Sequence, residues 1–122
     1  MRPYKHPNAD ELTLERIFHA LSDPARLEIV RHLARVEAAT CGELDGGRPK
    51  SSMSHHFKAM IDAGLLRVDV VGNVHLNNLR LDDLESRFPG LLFAVLQASQ
   101  STDQEATGLR KNGRSKQSKA KL

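Results

Sequence analysis

The stretch from Pro49 to Leu65 constrains the fold more than any other part of this chain. Met53, Phe57, Met60 and Ile61 fall at i, i+4, i+7 and i+8, the spacing of one apolar helix face. Pro49 is expected to open that helix and Gly64 to close it. The rest of its surface carries Ser51, Ser54, His55 and Lys58, with no carboxylate before Asp62. Solvated helix faces are ordinarily rich in Glu and Lys, whereas this one is built from Ser and His. Short or cationic hydrogen-bonding side chains suit a polyanion. A helix presenting them fits the major groove of DNA, where base edges offer donors and acceptors at close range.

The flanking segments predict the frame around this helix. Leu14, Ile17, Phe18 and Leu21 mark an amphipathic first helix. Asp23-Pro24 supplies an N-cap and a first helical position for a second, carrying Leu27, Ile29, Val30, Leu33 and Ala34. Thr40 and Glu43 have the spacing of a capping box, so a short third helix is expected to end near Asp45, with Gly46-Gly47-Arg48 as the turn. After Gly64, residues 66–71 and 74–79 alternate in polarity around Gly72-Asn73, a two-residue hairpin. A short helix capped by Asp82 and a last helix from Pro89 to about Ser99 complete the order. Four helices, a two-stranded hairpin and further helix describe a mostly α, winged helix-turn-helix domain over residues 10–100. Residues 1–9 read as a mobile arm and residues 101–122 as a disordered basic tail.

Charge is unevenly divided. The pI of 9.3 comes from the tail: residues 108–122 hold six Lys and Arg and no acid, while residues 1–107 hold twelve against fifteen Asp and Glu. Local charge on the fourth helix, not global charge, therefore carries the argument for DNA. The longest apolar run, Leu91 to Leu96, is too short to span a bilayer, and the polar N-terminus lacks a secretory pattern, so no membrane partner and a cytoplasmic location are expected. The single cysteine, Cys41, excludes an intrachain disulfide and a cysteine-rich zinc finger. With no phosphate-cradling glycine loop, metal-ligand helix or nucleophile elbow, the residues do not describe an enzyme.

Two blocks carry a resemblance. Leu21-Ser22-Asp23-Pro24-Ala25-Arg26-Leu27-Glu28-Ile29-Val30, with Ser51-Ser52-Met53-Ser54-His55-His56-Phe57-Lys58 and Ala63-Gly64-Leu65, resembles the ArsR/SmtB family of bacterial transcriptional repressors over roughly residues 12–97. The resemblance implies a homodimer formed through the first and last helices and an imperfect inverted-repeat target in double-stranded DNA. Many members of that family release DNA on binding metal, but their ligands do not carry over. The family's Cys-Val-Cys-Asp-Leu pattern is replaced by Thr40-Cys41-Gly42-Glu43-Leu44, and no histidine follows Pro89. Neither a metal site nor a cofactor is expected, and the residues name no inducer.

The expected DNA contacts are Arg48, Lys50, Ser51, Ser52, Ser54, His55, His56 and Lys58, with Arg67 at the base of the hairpin and Asn73 at its tip. Lys50 and Ser51 lie in the first helical turn, where free N–H groups favour phosphate; Ser54 and His55 are placed for base edges and Lys58 for a phosphate. His56, about 100° further round the helix, is expected either to pack on the third helix or to touch the DNA backbone. The apolar last helix calls for a second partner, expected to be another copy joined through Leu14, Ile17, Phe18, Leu92, Phe93 and Leu96. Cys41 reads either as a partly buried packing residue or as a redox switch at a helix N-terminus. The alternative to DNA readout is a protein-interaction module on the same fold, favoured by the charge-poor hairpin and the acidic folded part.

Overall fold

The structure is a computed structural model that describes residues 4–106. The described residues fall into two compact units, residues 4–89 and residues 90–106. In the first unit a 3-10 turn (Ala9–Glu11) precedes α1 (Leu14–Leu21) and α2 (Pro24–Arg35). Then come β1 (Ala39–Thr40), α3 (Cys41–Leu44), α4 (Lys50–Ala63), β2 (Leu66–Val71), β3 (Val74–Leu79) and α5 (Leu81–Arg87). The second unit contains α6 (Leu91–Ala106). That helix runs past Ser99 through residues 101–106, which the sequence had assigned to the tail. The tail cations Arg110, Lys111, Arg114, Lys116, Lys119 and Lys121 lie outside the described residues.

Caps explain the helix starts. The Asp23 carboxylate accepts from the Ala25 and Arg26 N–H groups at 2.8 and 3.4 Å, and Pro24 occupies the first turn, as anticipated. Thr40 Oγ1 accepts from Glu43 N at 3.2 Å while the Glu43 carboxylate accepts from Thr40 N at 2.8 Å, closing the capping box. Two starts differ from expectation. Pro49 is the N-cap of α4 and not its first residue. Arg80, not Asp82, caps α5; its guanidinium pairs with Asp83 at 2.9 Å, which places Asp82 and Asp83 in the first turn, where carboxylates face free N–H groups.

The core lies where α1 and α2 meet α4 and the sheet. Met53, Phe57, Met60 and Ile61 are all buried, beneath Ile17, Ile29, Val30, Leu65 and Leu66. Gly64 ends α4 at φ +89°, and a Cβ there would overlap the Leu12 side chain. Among the described residues the sheet has three strands in the order β1-β3-β2, all antiparallel. β1 was missed because two residues cannot show an alternation. Leu66 pairs with Leu79 and Val71 with Val74, so the register leaves Gly72 and Asn73 as the connection. Gly72 has φ +63° while among the described residues no non-glycine residue has positive φ, so Asn73 does not, the sign pattern of a type II′ turn.

From Tyr4 on, the N-terminal arm is not detached from the domain. The Val68 N–H donates to His6 Nε2 at 3.1 Å, and the Tyr4 hydroxyl is 3.0 Å from His75 Nδ1, with the two rings edge to face. β2 is an edge strand, and the arm occupies one of its outward N–H groups. Partial burial, and then the positive charges of Arg80 and Arg67, hold His6 below the ordinary imidazole value, with Asp69 opposing. A lowered imidazole stabilises the docked state above its ordinary value, and that contribution is lost as pH falls through the lowered one. Protonated Nε2 cannot accept from Val68. With the intrinsic pH dependence of exchange divided out, protection of the Val68 amide is therefore expected to fall more than that of its strand neighbours between about pH 7 and about pH 5, measured by hydrogen exchange. An unchanged ratio would mean the arm is held by other contacts.

Candidate nucleic-acid interface

α4 offers a polar face built from its own sequence. Lys50, Ser51, Ser52, Ser54, His55 and Lys58 are exposed, opposite the buried apolar stripe. The first intrahelical bond of α4 runs from Met53 N to the Pro49 carbonyl at 3.1 Å. The N–H groups of Lys50, Ser51 and Ser52 precede it and point out of the exposed helix end. With Lys50 beside them, they form an anion-favouring corner. Ser54 and His55 lie one turn further along, and Lys58 a turn beyond that. Lys58 is joined to Asp62 at 3.0 Å, but both side chains are exposed. Such an exposed i, i+4 pair is worth only about 0.3–0.5 kcal/mol, so a phosphate can compete for the ammonium.

Two residues assigned to DNA from sequence are committed inside the domain. The Arg48 guanidinium is 2.9 Å from Glu28 of α2 and donates to the Asp45 carbonyl at 3.3 Å. It braces the turn between α3 and α4 against α2 and is not a free cation. His56 is mostly buried and takes an N–H from Arg26 Nε at 3.1 Å on Nδ1. Its hydrogen-bond contact is therefore with α2. Accepting at Nδ1 leaves the ring proton on Nε2. Arg26, only 7% exposed, has a stated partner in this ring, and Asp23 Oδ1 lies 3.9 Å from the same Nδ1. Burial alone would raise the Asp23 carboxyl; the Ala25 and Arg26 N–H groups, with the neighbouring His56 and Arg26 side chains, outweigh it and hold the carboxyl below its ordinary range. The trio locks the N-terminus of α2 to the middle of α4 and so sets the angle at which the polar face is presented. Only the fold shows the Arg26 contact.

At the hairpin, Arg67 is exposed 3.6 Å from Asp69, and Asn78 donates to Asp69 at 3.2 Å. The hairpin's cation is thus partly neutralised by its own neighbour. Asn73 is exposed at the tip. Cys41, the first residue of α3, is exposed, contrary to the packing reading. The amide of the buried Asn77 donates to the Ala39 carbonyl and reaches Cys41 Sγ at 3.5 Å. Among the described residues no group of three or more His, Cys, Asp or Glu is placed to hold a metal ion, and no helix is long and apolar enough to cross a membrane.

Of the apolar residues expected at a copy-to-copy seam, Leu14 and Phe18 are 40% and 50% exposed and Phe93 is 67% exposed. Leu92 and Leu96 are half-buried. Ile17 is different: it is buried within its own chain at 1% exposure, so its surface serves the core and is not available to a seam.

Comparison with known proteins fits this geometry. A family model described as a helix-turn-helix domain matches residues 21–69. The chain is 33% identical over 87 residues to the uncharacterized HTH-type transcriptional regulator YceK of Bacillus subtilis (strain 168), covering 69% of this chain and 87% of that one. It is 34% identical over 73 residues to an arsenical resistance operon repressor of Staphylococcus xylosus, covering 59% and 70%. Among solved structures, the fold is similar to that of a homodimeric winged helix-turn-helix DNA-binding domain from Mycobacterium bovis. The TM-score is 0.58 at 20% identity, over 84% of this chain and 87% of that one. A crystal structure of an ArsR family transcriptional regulator is similar at TM-score 0.53 and 24% identity, over 87% and 99%.

Proposed function

The chain belongs to the ArsR-like family of winged helix-turn-helix transcriptional regulators, and we propose that it is a sequence-specific DNA-binding repressor that grips an inverted-repeat operator as a homodimer. The observation that carries this reading is the exposed, carboxylate-free N-terminal half of α4, with Ser51, Ser54 and His55 aligned beside an open helix end. Serine and imidazole reach base edges at hydrogen-bond distance, while Lys50 and the free N–H groups hold the phosphates on either side. Two copies related by a two-fold axis place two such helices in successive major grooves, about 34 Å apart on one face of the duplex. Repression follows from the relatives, two of which are arsenical resistance operon repressors. The hairpin, with Arg67 opposed by Asp69, adds little affinity on this reading, and Asn73 adds one contact to sugar or phosphate. The protein works in the cytoplasm, where its DNA is.

The test is fluorescence anisotropy with the DNA upstream of the protein's own coding sequence and a scrambled duplex, at two salt concentrations. A preference for the upstream duplex that persists at the higher salt is the expected result. Equal binding to both that collapses with salt would be backbone attraction alone, and would favour a protein partner for this fold.

The dimer reading has its own test. Leu14, Phe18 and Phe93 are exposed large apolar residues, and association of two copies gives them cover. Phe93→Asp is expected to shift sedimentation from dimer to monomer and to weaken operator binding in the same variant. A Phe93→Asp protein that stays dimeric would exclude this residue from the seam.

A further inference from the structure

Between the N-terminal arm, α4 and the inner face of the sheet lies a cavity of about 410 Å³. That volume is within the range of about 300–1,000 Å³ of small-molecule sites. Its floor is apolar: Phe57, Ile61 and Val68 are each at least nine-tenths buried. Its back wall contains the amide of Asn77, 1% exposed and fixed by Ala39. The exposed lining residues include Lys5 from the arm and Lys58 from α4, together with the Tyr4 ring, and form the rim. Lys58 is shared with Asp62; Lys5 has no ion-pair partner among the described residues. Two cations against one carboxylate leave the rim net positive above an apolar floor.

We infer that this cavity is an effector site for a small aromatic carboxylate, whose ring lies on Phe57 and Val68 and whose carboxylate is held between Lys5 and Lys58. The inference rests on the DNA-binding reading for its consequence, because Ser54 and Lys58 line the cavity and also belong to the polar face of α4. A bound carboxylate draws the Lys58 ammonium inward, away from phosphate, and adds a negative charge beside that face. Both effects weaken DNA binding, and losing one phosphate contact flattens the salt dependence by about 0.9 in log–log slope. The arm makes the site conditional. Lys5 reaches the rim because Tyr4 and His6 on either side of it are tied to His75 and Val68.

The experiment titrates the ¹⁵N-labelled full chain with 2-naphthoate and, separately, with its uncharged analogue 2-naphthylmethanol. Saturable shifts of the Ser54, Val68 and Asn77 amides are expected with naphthoate, with binding at least fivefold weaker for the alcohol. Lys5→Ala, at an exposed position outside the DNA face, is expected to weaken naphthoate binding at least threefold without changing the rest of the spectrum. Absence of saturable shifts at those amides, equal binding of the alcohol, or an unaffected Lys5→Ala protein would overturn the site. A parallel anisotropy titration reads the consequence: saturating naphthoate is expected to raise the operator Kd about tenfold in the wild type. Cavity shifts with an unmoved Kd would overturn the coupling. A chain that shows no sequence preference even without naphthoate would refute the DNA reading instead, leaving the amide shifts to decide the site.

Discussion

Gly64→Ala is expected to cost the domain about 3 kcal/mol. The backbone there is left-handed, at φ +89°, which costs an L-residue roughly 1–2 kcal/mol. A Cβ would also collide with the Leu12 side chain, itself 1% exposed and unable to move into solvent. Overpacking of this kind adds about 1–3 kcal/mol. For a domain of this size the sum corresponds to a fall of at least about 12 °C in the melting temperature. Gly72→Ala isolates the two causes. Gly72 is also at positive φ, +63°, but nothing lies within 4 Å of an added Cβ. It should lose only the backbone strain, so its melting temperature should fall by about half as much. Equal losses in calorimetry would mean that Leu12 gives way and that the packing of the pre-α1 segment on the end of α4 is loose. The position matters for function as well as stability. The αL turn at Gly64 sends the chain directly from α4 into β2, so it fixes where the hairpin stands relative to the polar face.

What could be read from the sequence and what could not divide along physical lines. The stripe Met53, Phe57, Met60 and Ile61 was legible because burial imposes a helical period on residue type, and the caps at Asp23 and Thr40 were legible because each satisfies local N–H groups within three residues. The exposed polar face of α4 followed as the complement of the stripe. Contacts between segments distant in sequence left no such trace. His56 and Arg26 are thirty residues apart, and nothing local marks either as the other's partner. Arg48 appeared as a cation ahead of a helix, and only the fold brings Glu28 to it. The arm was read as mobile because its residues show no period; it is held by side-chain bonds, His6 to the Val68 amide and Tyr4 to His75, that need no regular structure of their own. Ile17 fits the amphipathic spacing of α1 as well as Leu14 and Phe18 do. Spacing alone cannot tell which edge of an apolar stripe meets the core and which meets a second copy.

Ser54→Ala combined with His55→Ala is expected to abolish sequence preference while leaving the fold intact. Both side chains are exposed, and among the described residues no hydrogen bond to another side chain holds either of them in place, so the stability should stay within about 0.5 kcal/mol of wild type. A base-edge contact discriminates by about 1–3 kcal/mol, and a two-fold dimer uses each residue twice. The operator affinity should therefore fall roughly a hundredfold or more, at about 1.4 kcal/mol per tenfold, until it meets that of the scrambled duplex. Lys58→Ala separates readout from attraction. It removes a cation facing the phosphates, so it should weaken both duplexes alike and flatten the salt dependence by about 1 per contact, keeping their ratio. The opposite pattern is equally informative. If the double variant keeps its preference and Lys58→Ala loses it, the base-reading edge of α4 lies a turn further toward Asp62. The locked angle set by Asp23, Arg26 and His56 would then present the C-terminal half of the helix, not its serine-rich start, to the groove.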